Sequence, residues 1–145
     1  MFERLYPRTR FEAEGVRKMT AAAKILIVED EAVLALSMQD ILERAAYDVV
    51  GVVSDFQRAF VVAQQERPDL AIIDFKLANA IDGTTVALEL TKRYGLQVIF
   101  ATGHPGGMPE AGNALAFATL SKPYTPEQLL AAVSSCLENR TESEV

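Results

Sequence analysis

Short apolar runs alternating with segments of helical period constrain this chain more than any other feature of it. Lys24-Ile25-Leu26-Ile27-Val28 is a continuous apolar run, the pattern of a strand buried on both faces. The β-branched-rich stretch 48–53 also reads as a strand, and so do further runs at 70–73, 97–101 and 117–120. Between the first two, Leu34, Met38, Ile41, Leu42 and Ala45 recur at helical spacing and predict a helix over 31–46. Ser54-Asp55-Phe56-Gln57 fits a capping box with Ser54 as cap, opening a helix that reaches about Gln65, with Pro68 ending it. A loop follows over 75–81. Asp82 can cap a helix carrying Val86, Ala87, Leu90 and Tyr94, which Gly95 stops. The stretch 103–109 holds too much Gly and Pro for a helix, so only 110–116 has any helical character. Thr125-Pro126-Glu127-Gln128 combines a capping box with proline at the first helical position, and Leu129, Leu130, Val133 and Leu137 follow at helical spacing. Strand–helix alternation of this kind predicts an α/β fold, a doubly wound five-stranded parallel sheet. The simplest strand order is the flavodoxin-like 2-1-3-4-5, with a shortened or irregular fourth helix.

The chain has 145 residues, which suits one domain with a proper core. The expected organisation is an N-terminal extension over 1–22, a core domain over 23–138 and a polar, frayed tail over 139–145. The extension reads as a flexible leader, or as residues preceding a start at Met19. Residues 1–18 carry five basic and three acidic groups, so with a net charge of −6 for the whole chain the remainder stands at −8. Such an acidic domain is a poor partner for the phosphate backbone of nucleic acid. One cysteine, Cys136, allows no internal disulfide and reads as packing. No apolar run approaches the roughly 18 residues of a membrane span, and a cytoplasmic location without membrane contact is expected.

The chemistry lies at the strand ends. The first strand runs into Glu29-Asp30-Glu31, the third into Asp74-Phe75-Lys76, the fourth into Thr102 and the fifth into Lys122-Pro123. In a parallel sheet these carboxyl ends share one edge, where open α/β folds place their sites. Glu29, Asp30 and Asp74 would converge there, and three carboxylates repel unless a proton or a divalent cation relieves them. Hard oxygen donors suit Mg²⁺. A carboxylate such as Asp74 can attack phosphorus, with Lys122 and Thr102 as partners for the phosphoryl oxygens. Glu29-Asp30-Glu31 also reads as an acidic helix N-terminus, a role compatible with facing the site.

Val28-Glu29-Asp30, Asp74, Thr102 and Lys122-Pro123, in this order and at strand ends, resemble the receiver domain of two-component response regulators over residues 23–138. The resemblance implies that Asp74 accepts a phosphoryl group from a histidine kinase or phosphotransfer protein. It implies Mg²⁺ held by Glu29, Asp30, Asp74 and the backbone carbonyl of Lys76. Thr102 and Lys122 would bind the phosphoryl oxygens, and the bond before Pro123 would be cis. Glu29 departs from the usual Asp. Phe100-Ala101-Thr102-Gly103-His104 is similar to the Phe-Ala-Thr-Gly signature of a stand-alone subgroup. The aromatic switch residue expected three positions before the lysine is Thr119 here, so the mobile element is expected in the 103–112 loop, with Tyr124 or Phe117 as candidate substitutes. His104 is either a tuner of acyl-phosphate hydrolysis or a plain loop residue. The expected function is a single-domain regulator that signals to an unidentified downstream protein by contact, or relays phosphate. The alternatives are a phosphorylation-independent adaptor and, ranked lower, an aspartyl-phosphate phosphatase.

Overall fold

The computed structural model describes residues 22–76, 83–103 and 118–144. Nine elements follow in order: β1 (Lys24–Val28), α1 (Ala32–Arg44), β2 (Asp48–Val53), α2 (Phe56–Glu66), β3 (Leu70–Asp74), α3 (Gly83–Tyr94), β4 (Gln97–Thr102), β5 (Ala118–Ser121) and α4 (Pro126–Glu144). The sheet is parallel, in the order β2-β1-β3-β4-β5 that the alternation predicts. The expected short helix over 110–116, the Asp82 cap, Phe117 and His104 lie outside the described residues.

The central strand explains the layering. All five residues of β3 are buried, so both of its faces need a cover. Ala71 and Ile73 point into one apolar layer with Leu26, Val28, Val98 and Phe100, closed by α2 and α3 through Ala59, Ala63, Ala87 and Leu90. Leu70 and Ile72 point into the other with Ile25, Ile27 and Ile99, closed by α1 and α4 through Ala35, Met38, Leu42, Leu129 and Val133. Each of these larger side chains contributes about 1.5–3 kcal/mol on burial, so the paired layers dominate the fold's stability. Cys136 is buried in the second layer, as expected of a packing residue, and its Sγ donates to Gln97 Oε1 at 2.7 Å.

At the N-terminal edge of the sheet, Asp69 fixes the register of three strands. Its Oδ2 accepts from Lys24 N at 2.8 Å, its N–H donates to Lys24 O at 2.8 Å, and its carbonyl accepts from Gln97 N at 3.1 Å. Gly51 lets β2 approach its neighbours, because a Cβ there would sit 2.8 Å from Val62 Cγ1 and 3.2 Å from Leu26 Cδ1.

Local signals differ from the sequence expectation in several places. The cap of α2 is Asp55, not Ser54: Asp55 Oδ1 accepts from Arg58 N at 2.8 Å, while Asp55 adopts the extended backbone a cap requires. Asp and Ser are near-equal caps, so the box spacing around Ser54 pointed one residue too early. The same helix ends on Arg67 in the left-handed region (φ 50°), with Arg67 N donating to Ala63 O, rather than on Pro68 alone. On α1, Ala35 is buried, Leu34 is half-buried and Ala45 is exposed, so the buried stripe is rotated from the expected one. Phe75 and Lys76 are helical, not loop. The polar tail is also helical, since α4 continues to Glu144. The Thr125 capping box is present as expected: Gln128 N donates to Thr125 Oγ1 at 3.1 Å and Thr125 N to Gln128 Oε1 at 2.9 Å. Gly95 closes α3 at φ 70°, and no helix among the described residues is long and apolar enough to cross a membrane.

Two substitutions separate the rival caps. Asp55→Ala is expected to cost about 1 kcal/mol in urea unfolding. Ser54→Ala, at an exposed position, should stay within about 0.5 kcal/mol of the parent. The reverse ranking would return the cap to Ser54.

Candidate functional site

The carboxyl ends of β1, β3, β4 and β5 meet at one edge of the sheet. The register sets their depth: Val28 pairs with Ile73, Asp74 with Ala101, and Thr102 with Ser121. Glu29 is therefore level with Asp74, Thr102 lies one residue further along the edge and Lys122 two, each at or one residue beyond its own strand's last position.

Glu29, Asp74 and Thr102 are the buried polar side chains among the described residues. The edge is organised by Lys122. Its Nζ lies 3.3 Å from Glu29 Oε1 and 3.3 Å from Asp74 Oδ1, with only 22% of the lysine side chain exposed. Its backbone N–H donates to Thr102 O at 2.8 Å, which ties the lysine to the end of β4, and the Lys122–Pro123 bond is cis, as expected. Backbone amides complete the carboxylate partners. Glu31 N donates to Glu29 Oε2 at 3.1 Å, and Lys76 N to Asp74 Oδ1 at 3.1 Å. Glu29 N itself donates to Val53 O at 2.9 Å, so β2 anchors the acidic turn. Behind Asp74, Phe75 meets Phe100 edge to face, with ring centroids 5.5 Å apart.

Glu29, Asp30 and Asp74 each offer a carboxylate oxygen, and these atoms lie within 4.8 Å of one another. Asp30 is the exposed member, at the mouth. Three carboxylates face one lysine, so the cluster carries excess negative charge when all are ionised. An all-oxygen donor set of this spacing, open on one side to water, fits a hard divalent cation.

Burial pushes the Glu29 carboxyl above the usual glutamate range and the Asp74 charge adds to it, against the opposing pull of the Glu31 amide and Lys122. For Lys122, burial pulls downward, but Asp74 and Glu29 together outweigh it, and its ammonium is held above the usual lysine value. Burial also raises the Tyr124 hydroxyl, with Lys122 pulling it down and Glu29 adding to the rise.

The structure brings the expected strand-end residues together, while Lys76, expected to offer its carbonyl, is seen through its amide. Glu29, Asp30, Asp74, Thr102 and Lys122 converge on one edge, and Lys76 contributes its amide to Asp74. The pairing of Lys122 with Glu29 was not legible in the sequence, where Glu29 read as a cation ligand only. Its signal was the extra methylene of Glu over Asp, which brings the carboxylate within reach of the lysine. The sequence reading also missed a groove beside Glu29 and Asp30, of about 290 Å³.

Glu29 binds its proton more tightly in the folded than in the unfolded chain. Its ionisation therefore opposes folding, and the stability present below the unfolded pKa is lost as pH rises through the raised folded one. Glu29→Gln, which mimics the neutral form, is expected to gain stability relative to the parent as pH rises above the unfolded glutamate value of about 4.3, without divalent cation. Parallel pH profiles for the two proteins would contradict this. Lys122→Met leaves two buried carboxylates facing each other, and a loss of about 3 kcal/mol in chelator is expected. Asp74→Asn should unfold at a higher temperature than the parent in the same buffer. A Lys122→Met protein as stable as the parent would show that the lysine does not balance the cluster.

This chain is similar to known proteins in sequence and fold. A family model described as the response regulator receiver domain matches residues 25–134. The phyllosphere-induced regulator PhyR of Methylorubrum extorquens is 31% identical over 132 residues, covering 86% of this chain and 48% of that protein. The transcriptional regulatory protein PdtaR of Mycobacterium tuberculosis is 33% identical over 112 residues, covering 76% of this chain and 54% of that protein. The chain thus spans about half the length of these relatives. Among solved structures, the signal receiver domain of a modulated diguanylate cyclase from Desulfovibrio desulfuricans superposes with a TM-score of 0.74 at 28% identity, covering 84% of this chain and 98% of that one. The response regulator PhyR from Brucella abortus gives 0.73 at 25%, covering 86% and 51%.

Proposed function

This chain belongs to the response regulator receiver domain family, and on that footing we propose that it accepts a phosphoryl group on Asp74 from a phosphohistidine, with Mg²⁺ as cofactor. The observation that carries the proposal is the Asp74 carboxylate: buried at the end of the central strand, within 4.8 Å of two further carboxylates and 3.3 Å from Lys122 Nζ.

Asp74 Oδ1 already receives two donors, the Lys76 amide and the Lys122 ammonium, which leaves Oδ2 to attack phosphorus. The new bond is O–P and the broken one is the P–N bond of the donor imidazole, whose nitrogen keeps the electron pair and a proton from solvent. Glu29, Asp30, Asp74 and the Lys76 carbonyl would hold Mg²⁺, which would neutralise charge that otherwise repels the incoming group. Lys122 and the Thr102 hydroxyl serve the equatorial oxygens, where charge gathers in the transition state. Holding the carboxylate at fixed depth supplies orientation as well. The donor is a histidine kinase or phosphotransfer protein, and the signal passes to a downstream protein by contact or onward as phosphate. We place this chemistry in the cytoplasm, where such donors act.

Intact mass after incubation with a small phosphoryl donor tests the assignment. One phosphoryl group should be added to the parent with Mg²⁺, none without it, and none to Asp74→Asn. Lys122→Met should slow the reaction by about 10²–10³, the scale of losing one aimed donor. A parent that takes no phosphoryl group even from a phosphohistidine protein would instead favour an adaptor that binds its partner regardless of phosphorylation.

A further inference from the structure

Lys122 is shared between two carboxylates at equal distance, 3.3 Å from Glu29 Oε1 and 3.3 Å from Asp74 Oδ1. Glu29 is the better anchored of the two. Its Oε2 accepts from Glu31 N at 3.1 Å, its own N–H donates to Val53 O at 2.9 Å, and only 2% of its side chain is exposed. A phosphoryl group on Asp74 Oδ2 would draw the lysine outward, toward the equatorial oxygens. Going there strips Glu29 Oε1 of its cation at a buried position, and a buried carboxylate without its partner is strongly disfavoured. The conflict comes from the reach of the side chain at this position. An aspartate, one methylene shorter, would withdraw the carboxylate by about 1.5 Å, which takes it out of hydrogen-bond range of Nζ.

We propose that Glu29 is a positioning residue that holds Lys122 back from the phosphoryl oxygens, slowing both transfer onto Asp74 and hydrolysis of the acyl phosphate. This rests on the reading of Asp74 given above. Both steps gather charge on the equatorial oxygens, so an ammonium placed there stabilises both. In hydrolysis, water attacks phosphorus and forms a new O–P bond as the bond to Asp74 Oδ2 breaks. The carboxylate keeps the electron pair, and the proton of the water passes to solvent. A lysine shared with Glu29 gives only part of its effect to either step. The modified state is then slower to form and slower to decay than the nucleophile and the lysine alone would make it.

The test uses the full chain and has two readouts. The first is the ammonium NMR signal of Lys122 in chelator, assigned by its loss in Lys122→Met. Glu29→Asp should move it, and so should Glu29→Gln, which keeps the reach without the charge. Asp30→Asn, at the exposed mouth, should move it less than either. The second is kinetic, in saturating Mg²⁺ with a small phosphoryl donor. Glu29→Asp should take up its phosphoryl group, and lose it after donor removal, each about three- to tenfold faster than the parent, a fraction of the effect of one aimed donor. A side chain acting only as a cation ligand would shift the Mg²⁺ concentration for half-maximal rate and leave the saturated rates unchanged. That result would overturn the proposal, as would slower rates or an unmoved ammonium signal in Glu29→Asp. Should Glu29→Asp fail to fold, an unmoved signal in the isosteric Glu29→Gln overturns it equally. A parent that takes no phosphoryl group even from a phosphohistidine protein would refute the reading of Asp74 and the restraint with it, while the ammonium signal would still decide whether Glu29 holds the lysine.

Discussion

One ammonium group holds the functional edge together. Lys122 Nζ stands 3.3 Å from carboxylates that arrive on β1 and β3, while the lysine backbone is bonded to the end of β4 and follows directly on β5. Four strand ends are thereby coupled through one residue, two by its side chain and two by its backbone. Coulombic attraction at this distance is about 1 kcal/mol in water and several-fold larger at a partly desolvated edge. The cost of desolvating the charges is of similar size, so the pairing works less as net stabilisation than as a constraint on where Asp74 sits.

The sheet supplies what that constraint requires. Parallel strands with helices on both faces bury β3 completely, and a strand without freedom to shift presents its terminal residue at a fixed depth. The other edge of the sheet repeats the device with different chemistry. Asp69 ties β1, β3 and β4 through its carboxylate, its N–H and its carbonyl, so the strands are pinned at one end by an aspartate and at the other by a lysine. Between the pins, close-packed apolar layers transmit position because they deform little.

Most of this was readable from the sequence for a physical reason. Continuous apolar runs have few alternatives to buried parallel strands, and strand ends in such a sheet must share an edge. That placed Glu29, Asp30, Asp74, Thr102 and Lys122 together before any coordinate was known. The misreadings fall where the competing energies differ by little. Ser54 and Asp55 are near-equal caps, and the packing of Phe56 into the core decided between them. Arg67 ends α2 in a left-handed conformation that its sequence does not favour, while its guanidinium lies 5.2 Å from the Tyr94 ring centroid. The polar residues after Leu137 have no apolar stripe, yet an established helix propagates through them, since extension costs far less than nucleation. Pattern reading weighs single residues, and these outcomes were set by neighbours.

The charge balance of the edge bears on how a modified and an unmodified chain could differ. Without a bound cation the cluster holds three carboxylates against one ammonium, and burial, with the Asp74 charge adding to it, pushes the Glu29 carboxyl above its usual range. On the proposed chemistry, an acyl phosphate would replace the single negative charge on Asp74 with roughly two, farther from the sheet. Lys122 cannot then keep both of its present distances, because the charge it follows has moved outward while Glu29 remains fixed by the Glu31 amide. Its backbone bond to Thr102 passes any displacement to the ends of β4 and β5. With Thr119 on β5 where related domains carry an aromatic ring, that displacement has no large side chain there to rotate. The strand ends and the segments leaving them are then the elements left to register the change.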